Sequence, residues 1–486
     1  MAKSKKGINT EVLRKILSRS TKIVATIGPA ACRAEDIKKF VEMGVCIFRV
    51  NFSHGTQESN GRIIKNIRRV EKALGVPITI FQDLQGPKIR LGKFRKNPTT
   101  LKLGEEFVLT TKEVVGDAKM ASVTNEEIIN DIAVGDKIYL NDGLVKLEIV
   151  KIEDDKIHTH VIDGGEIGDH KGVNFPGTKL STPAITEKDK KDLEFGLKIG
   201  IDCVALSFVR TANEINDLRA LMGKKQIPII SKIEKWEAIQ NLPSILEASD
   251  IVMVARGDLG VELPIEEVPL IQKKIIKEAH IWKKPVITAT QMLISMVDNP
   301  TPTRPEITDI ANAIFDGTDA VMLSNETAVG NYPFKAVEVM DKIIQTTEKS
   351  SLFKTHIDEK ESMVEKNVSS AVAYSATEIA RITKAKLIVC VTEYGRTAML
   401  IAGHRPAAPI LSLTAQDSTL KKLNFVWGAV PFKIKTFKLA DQVFDFGNKI
   451  AKDLGIAKAH DFVVVTAGSK PGVSGGTNLI KVEEIL

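Results

Sequence analysis

Residues 228–258 read PIISKIEKWEAIQNLPSILEASDIVMVARGD. Two nearly continuous apolar runs, from Pro228 and from Asp250, flank a stretch of helical composition. A strand buried on both faces reads as such an unbroken run, so this is a parallel strand–helix–strand unit. The same run recurs as KIVATIG from Lys22, VCIFRVNF from Val45, PITIFQD from Pro77, DCVALSF from Asp202, PVITATQ from Pro285 and DAVMLSNE from Asp319, which makes eight in all. Between them Ile63, Ile67, Val70 and Leu74 keep helical spacing. Thr211 with Glu214 and Thr303 with Glu306 have the form of capping boxes at helix starts. Eight such units predict an α/β chain built on a (β/α)8 barrel, with its active site at the C-terminal ends of the strands.

Two segments interrupt the pattern. After the third run, about 90 residues alternate with period two, as in Lys146–Ile152 and Ile157–Val161, with turn signals at Asn141-Asp-Gly, Asp154-Asp155 and Gly164-Gly165. They predict an inserted all-β lid. Beyond about Phe353 come helical residues 370–384 and the runs LIVCVT, PILSLT and DFVVVT, a separate C-terminal α/β domain. The expected boundaries are 1–91 and 177–352 for the barrel, 92–176 for the lid and 353–486 for the last domain.

Composition narrows the function. At 486 residues, 43% hydrophobic and 27% charged, the chain is globular and long enough for about three domains. The net charge, 68 − 61 = +7, is scattered, and aromatics are only 5%, so no nucleic-acid platform is expected. No apolar run reaches the ~18–20 residues of a membrane span, and the first twenty residues lack the apolar core of a signal peptide. Cys32, Cys46, Cys203 and Cys390 are widely spaced and form no metal motif, which fits a cytoplasmic protein with reduced thiols.

The strand ends carry the chemistry. Run two ends in Arg49, Asn51, Ser53 and His54; run three in Asp83, Lys88 and Arg90; run five in Lys232 and Glu234; run six in Arg256 and Asp258; run seven in Thr288 and Thr290; run eight in Ser324 and Glu326. Lys232 and Glu234, two apart on a strand, share a face. One buried pair would be ordinary, but ionisable groups on at least five strand ends mark one rim as a site. Two carboxylates on adjacent strands suit Mg²⁺, and Arg49, Arg90 and Lys232 supply charge for a phosphoryl group. No GxxxxGK[ST], protein-kinase motif set or strand-linked GxGxxG is present. The residues alone therefore reach a Mg²⁺-assisted barrel enzyme acting on a small anionic substrate. His158 and His160 read as one strand face, and His280 and His404 fall off the rim. Trp236 and Trp282 read as helix packing residues, and Lys188, Lys190 and Lys191 as a solvated helix start.

FRVNFSHG, DLQGPKIR, HKGVNFPG, ISKIE, VARGDLGVE, TATQML, NPTPTRPE and MLSNETAVG, in this order from Thr21 to about Lys349, resemble the successive motifs of the pyruvate kinases. The resemblance implies transfer of the phosphoryl group of phosphoenolpyruvate to ADP, giving pyruvate and ATP. It implies Lys232 and Arg49 at the phosphoryl group and Thr290 where the enolate is protonated. Gly257, Asp258 and Thr290 would hold substrate, with the Gly257 N–H at its carboxylate. Glu234 and Asp258 would hold Mg²⁺, or Mn²⁺ in its place. Asn51, His54, Arg90 and Lys171 would contact the nucleotide, and the working form would be a cytoplasmic homotetramer. The competing readings are another Mg²⁺-dependent enzyme working through a pyruvate enolate, such as an aldolase or phosphoenolpyruvate mutase, and a non-catalytic scaffold. The aldolase or mutase has no need of the lid or of Lys171, and the scaffold has no need of Lys232, Glu234 and Asp258 together.

Within that family the chain resembles the bacterial-type branch that does not require K⁺. Many members need K⁺ and have Thr, Lys and Glu where this chain has Leu84, Gln85 and Lys88; Leu91 also fits the K⁺-independent branch. Asn51, Ser53 and Asp83 would then remain as a vestigial cation pocket, with the Lys88 ammonium in place of K⁺. The family's effector loops correspond to Thr392, Arg396, Thr397, Ser469 and Lys470, but Glu393 among them would repel a bound phosphate.

Overall fold

The computed structural model describes residues 9–359, 365–435, 440–468 and 476–485. Eight parallel strands close into a barrel in sequence order: β1 (Lys22–Ile27), β2 (Ile47–Asn51), β3 (Thr79–Asp83), β4 (Cys203–Leu206), β5 (Ile229–Ile233), β6 (Ile251–Ala255), β7 (Val286–Ala289) and β8 (Ala320–Leu323), with β8 back beside β1. Each falls inside one of the eight apolar runs. Both expected capping boxes, at Thr211 and Thr303, are formed.

Alternation sorts each strand into two faces. Val24, Ile47, Phe81, Cys203, Ala205, Ile230, Ile251, Met253, Ile287, Ala320 and Met322 fill the barrel interior as one cluster, while the other residues pack on the surrounding helices. Following the inward parity upward gives Thr26, Arg49, Asn51, Asp83, Ser207, Lys232 and Glu234. The polar crown is therefore the continuation of the apolar core columns past the point where the barrel opens.

The insertion between β3 and β4 is a six-stranded sheet with a two-stranded ribbon, from Thr99–Leu101 to Val173–Asn174. It has its own apolar core, including Leu91, Phe107, Leu147, Ile157 and Phe175. A stalk joins it to the barrel: the Leu91 N–H donates to the Lys171 carbonyl at 2.9 Å and the Val173 N–H to the Ile89 carbonyl at 3.0 Å.

Among the described residues the C-terminal domain has five strands, Leu387–Val391, Ile410–Thr414, Ala429–Lys433, Phe462–Gly468 and Thr477–Glu484, the last antiparallel. Sequence reading finds three. Ala429–Lys433 contains Pro431 and sits at the sheet edge, and Thr477–Glu484 is largely exposed and charged, so neither reads as a buried parallel strand. This domain closes the N-terminal floor of the barrel. Phe425 joins the interior cluster and meets Phe81 at 6.1 Å between ring centres. Arg405 donates to Asp319 at 2.8 Å and to His280 Nε2 at 2.8 Å, and its guanidinium lies over Trp427. His280 is thus part of the domain joint. Lys188 is likewise more than a solvated residue: its ammonium donates to the Phe52 carbonyl at 2.7 Å and pairs with Asp192.

Candidate active site

At the mouth, Lys232 on β5 is held by three oxygens, one from the end of its own strand and two from the ends of β4 and β3. It donates to Ser207 Oγ at 2.8 Å, and its ammonium lies 2.9 Å from Glu234 Oε1 and 3.4 Å from Asp83 Oδ1. Burial works against its charge, but the Asp83 and Glu234 carboxylates outweigh it and hold the pKa above that of an ordinary lysine. Arg49 reaches the other side of the same carboxylate, with Nε 2.7 Å from Asp83 Oδ2 and Nη1 3.3 Å from Thr26 Oγ1. Burial would raise the Asp83 pKa, yet the two cations bring it below the usual range. One buried carboxylate thus carries two cations side by side.

The second carboxylate pair differs. Glu234 is fully buried, and its Oε2 accepts the Phe208 N–H at 2.8 Å. That N–H is aimed by a left-handed backbone at Phe208, φ 55°, a costly conformation for an aromatic residue. Glu234 Oε1 makes no hydrogen bond; the Lys232 ammonium is near it but out of alignment. Burial first, and then the neighbouring Asp258 charge, push the Glu234 pKa up despite Lys232. Asp258 starts the short Arg256–Glu262 helix, and its Oδ1 pairs with Lys88 Nζ at 2.9 Å. Burial opposes its charge, but Lys88 and Lys232 lower its pKa. Two hard carboxylates, one with a buried oxygen that meets only the Lys232 ammonium, fit a Mg²⁺ ion that takes its other ligands from substrate and water. Among the described residues no cluster of three or more His, Cys, Asp and Glu forms a closed metal cage.

Thr290, just past β7, also has a left-handed backbone, φ 70°. Its hydroxyl accepts the Gly257 N–H at 2.8 Å and donates to the Ala289 carbonyl at 2.6 Å. The Gly257 N–H is therefore directed at Thr290. Arg256 locks the turn, donating to the Thr290 carbonyl at 2.7 Å and to both Asp309 oxygens at 2.7 Å.

The remaining sequence candidates divide. His54 is exposed near Arg90, Arg49 and Lys88; partial burial first, then those cations, lower its pKa. Arg90 is tied to the lid, donating to the His170 carbonyl at 2.9 Å, and Lys171 is exposed on the facing stalk strand. Asn51 Oδ1 accepts the Ser53 N–H at 3.1 Å, and Leu84 is buried in the apolar core. Lys88 pairs with Asp258 at 2.9 Å, and among the described residues no hydrogen bond or ion pair joins it to Asn51 or Ser53. Glu326 is scaffold, its carboxylate accepting the Leu293 and Ser324 N–H groups. In the C-terminal domain Thr397 shares a hydroxyl bond with Thr477, Arg396 lies 3.5 Å from Glu365, and Glu393 accepts from Gln416. Thr392 gives its N–H to Leu413, while Ser469 and Lys470 lie outside the described residues. Sequence reading misses Ser207, Phe208 and the Arg256 lock. Ser207 was recoverable, since it continues the Cys203–Ala205 alternation; a backbone N–H aimed by a strained turn leaves no sequence signal.

A profile of the pyruvate kinase barrel domain matches residues 18–337, and one of the pyruvate kinase alpha/beta domain matches residues 370–483. The chain belongs to the pyruvate kinase family. It is 44% identical over 477 residues to pyruvate kinase 2 of Synechocystis, covering 96% of this chain and 80% of that one. It is 41% identical over 471 residues to the pyruvate kinase of Clostridium acetobutylicum, covering 96% and 100%. A crystal structure of a pyruvate kinase from Cryptosporidium parvum superposes with a TM-score of 0.87 at 34% identity, over 97% of each chain. Like the family, the chain is a phosphotransferase on a barrel with a separate C-terminal α/β domain. Among the described residues no helix is long and apolar enough to cross a membrane.

Proposed function

We propose that the pyruvate kinase reaction, phosphoenolpyruvate and ADP to pyruvate and ATP, is carried out at this mouth by the residues around Asp83. The observation that carries the assignment is the Lys232 ammonium fixed among Ser207, Glu234 and Asp83, with Arg49 on the same carboxylate. Preorganised cations stabilise charge that develops on a phosphoryl group in flight, without reorganising at the moment of transfer. Glu234 and Asp258 would hold Mg²⁺, which supplies Lewis-acid charge to substrate oxygens. Thr290 and Gly257 bind the substrate carboxylate end, and the enolate left behind takes its proton at the methylene carbon beside Thr290. Asn51, His54, Arg90 and Lys171 line the nucleotide side, and the lid excludes water that would otherwise hydrolyse the phosphoryl group. A coupled assay of ATP formation from phosphoenolpyruvate and ADP, with wild type and Lys232→Met, tests the assignment; near-normal turnover by the variant ends it.

The K⁺ question belongs to the same mouth. Asp83 is already neutralised by Arg49 and Lys232, and Leu84 offers no side-chain oxygen. The Lys88 ammonium, held on Asp258, adds a tethered positive charge to the same mouth and so raises the cost of placing a further monovalent cation there. Full activity is expected with Mg²⁺ alone in tetramethylammonium salts, and Lys88→Glu is expected to introduce a K⁺ requirement. Strong activation of the wild type by K⁺ overturns this. The working form is taken as a cytoplasmic homotetramer, which sedimentation and cell fractionation check. An effector site at Thr392, Arg396 and Thr397 is tested by kinetics with sugar phosphates and AMP; hyperbolic kinetics unchanged by all of them rejects it.

A further inference from the structure

Both strands of the lid stalk touch the same seven-residue helix, Arg256–Glu262. Lys88, on the outgoing strand, pairs with Asp258 in its first turn at 2.9 Å. Asn174, on the returning strand, donates through Nδ2 to Glu262 Oε1 in its last turn at 3.4 Å. Asp258 and Glu262 are four residues apart, so they lie on one helix face. Glu262 Oε1 also takes the Lys235 ammonium at 2.5 Å, and Lys235 directly follows Glu234. Glu262, Asn174 and Lys235 are all buried. A buried carboxylate with an ammonium on one side and a lid amide on the other is costly unless it is kept paired, and no part of the phosphoryl chemistry calls for it.

We propose that Glu262 is a positioning residue for phosphoryl transfer: through Asn174 and Lys235 it holds the lid stalk in register with the two barrel segments that carry Glu234 and Asp258. The inference rests on the reaction taking place at this mouth. The helix is only about 10 Å long at 1.5 Å per residue, so a shift of the stalk at either end moves the whole of it. Lid position and the spacing of the two carboxylates are therefore one mechanical variable. A plain buried ion pair would lower stability when broken and leave turnover per folded molecule alone.

Two variants separate the cases. Asn174→Ala removes the lid arm and leaves the Lys235–Glu262 pair; Glu262→Gln keeps the shape and removes the charge. Each is expected to lower kcat for phosphoenolpyruvate and ADP by about 10- to 100-fold. KM for phosphoenolpyruvate should stay within about twofold. In the same samples, amide hydrogen exchange at residues 88–92 and 171–175 should accelerate while the barrel strands stay protected, with Asn174→Ala melting like the wild type. Unchanged kcat and unchanged stalk exchange in Asn174→Ala overturn the proposal, as does a loss of kcat that only tracks a fall in melting temperature. A wild type that forms no ATP from phosphoenolpyruvate and ADP would instead reject the functional reading, and the exchange data would still decide the joint.

Discussion

At the mouth of the barrel Glu234 keeps a buried oxygen that meets only the Lys232 ammonium, without a hydrogen bond, and Arg49, Asp83, Lys232 and Glu234 share partners across three strands. At the floor Asp319 is bonded on both oxygens, Oδ1 by Arg405 and the Trp427 N–H and Oδ2 by the Val286 N–H. The same eight strands thus end in charge at both ends, with opposite satisfaction. Charge left incompletely paired is available to a ligand; charge fully matched by another domain holds the fold together. Breaking the two ends should therefore give different phenotypes.

The largest effect is expected at the floor. Asp319→Ala leaves the Arg405 guanidinium buried without its carboxylate, a change that costs about 3–5 kcal/mol. Chemical denaturation should show the loss, with kcat per folded molecule unaltered; a large fall in kcat at unchanged stability breaks the comparison. Lys232→Met at the mouth should instead lower kcat per folded molecule by ~10²–10³-fold, or about 2.7–4 kcal/mol, whatever it does to stability.

The floor has an exception in Lys22, and it sharpens the contrast through pH. Lys22 is buried with no hydrogen bond to its ammonium among the described residues, and burial first, then Arg19, bring its pKa down to about 8. A lysine depressed on folding destabilises the native state while it is protonated. Between pH 8 and 10.5 the unfolded chain binds more protons, so stability rises with pH across that window, by about 3 kcal/mol in full. Lys22→Met should raise the melting temperature at pH 7, with the gain shrinking above pH 8; a variant that melts lower at pH 7 refutes the account. The smallest effect is expected away from both ends. Lys112→Ala breaks an exposed lid pair with Asp155 and should cost at most about 1 kcal/mol with turnover unchanged.

The barrel was legible because Phe81, Ile230 and Met253 lie on strands buried on both faces, and such strands cannot avoid an apolar run. The crown was legible for the opposite reason: Asp83, Lys232 and Glu234 are charges where those runs should have continued. What stayed hidden depends on space rather than pattern. That Asp83 carries both Arg49 and Lys232 follows from closure of the barrel, and the left-handed turns at Phe208 and Thr290 use residues that no turn rule favours. The two missed strands of the C-terminal domain lie at its sheet edges: Thr477–Glu484 is largely exposed, so the burial signal fails, and Ala429–Lys433, though its first residues are buried, is interrupted by Pro431.

Phe425 lies on the interior side of the barrel floor but follows the last barrel strand by about 100 residues. During synthesis at roughly 5–20 residues per second, the eight strands leave the ribosome about 5–20 s before the ring that plugs them exists. In that interval Phe81 and its neighbours line an open apolar well. Nascent barrels are then exposed to chaperones and to one another, and release of the C-terminal domain, more than closure of the strands, ends the vulnerable period.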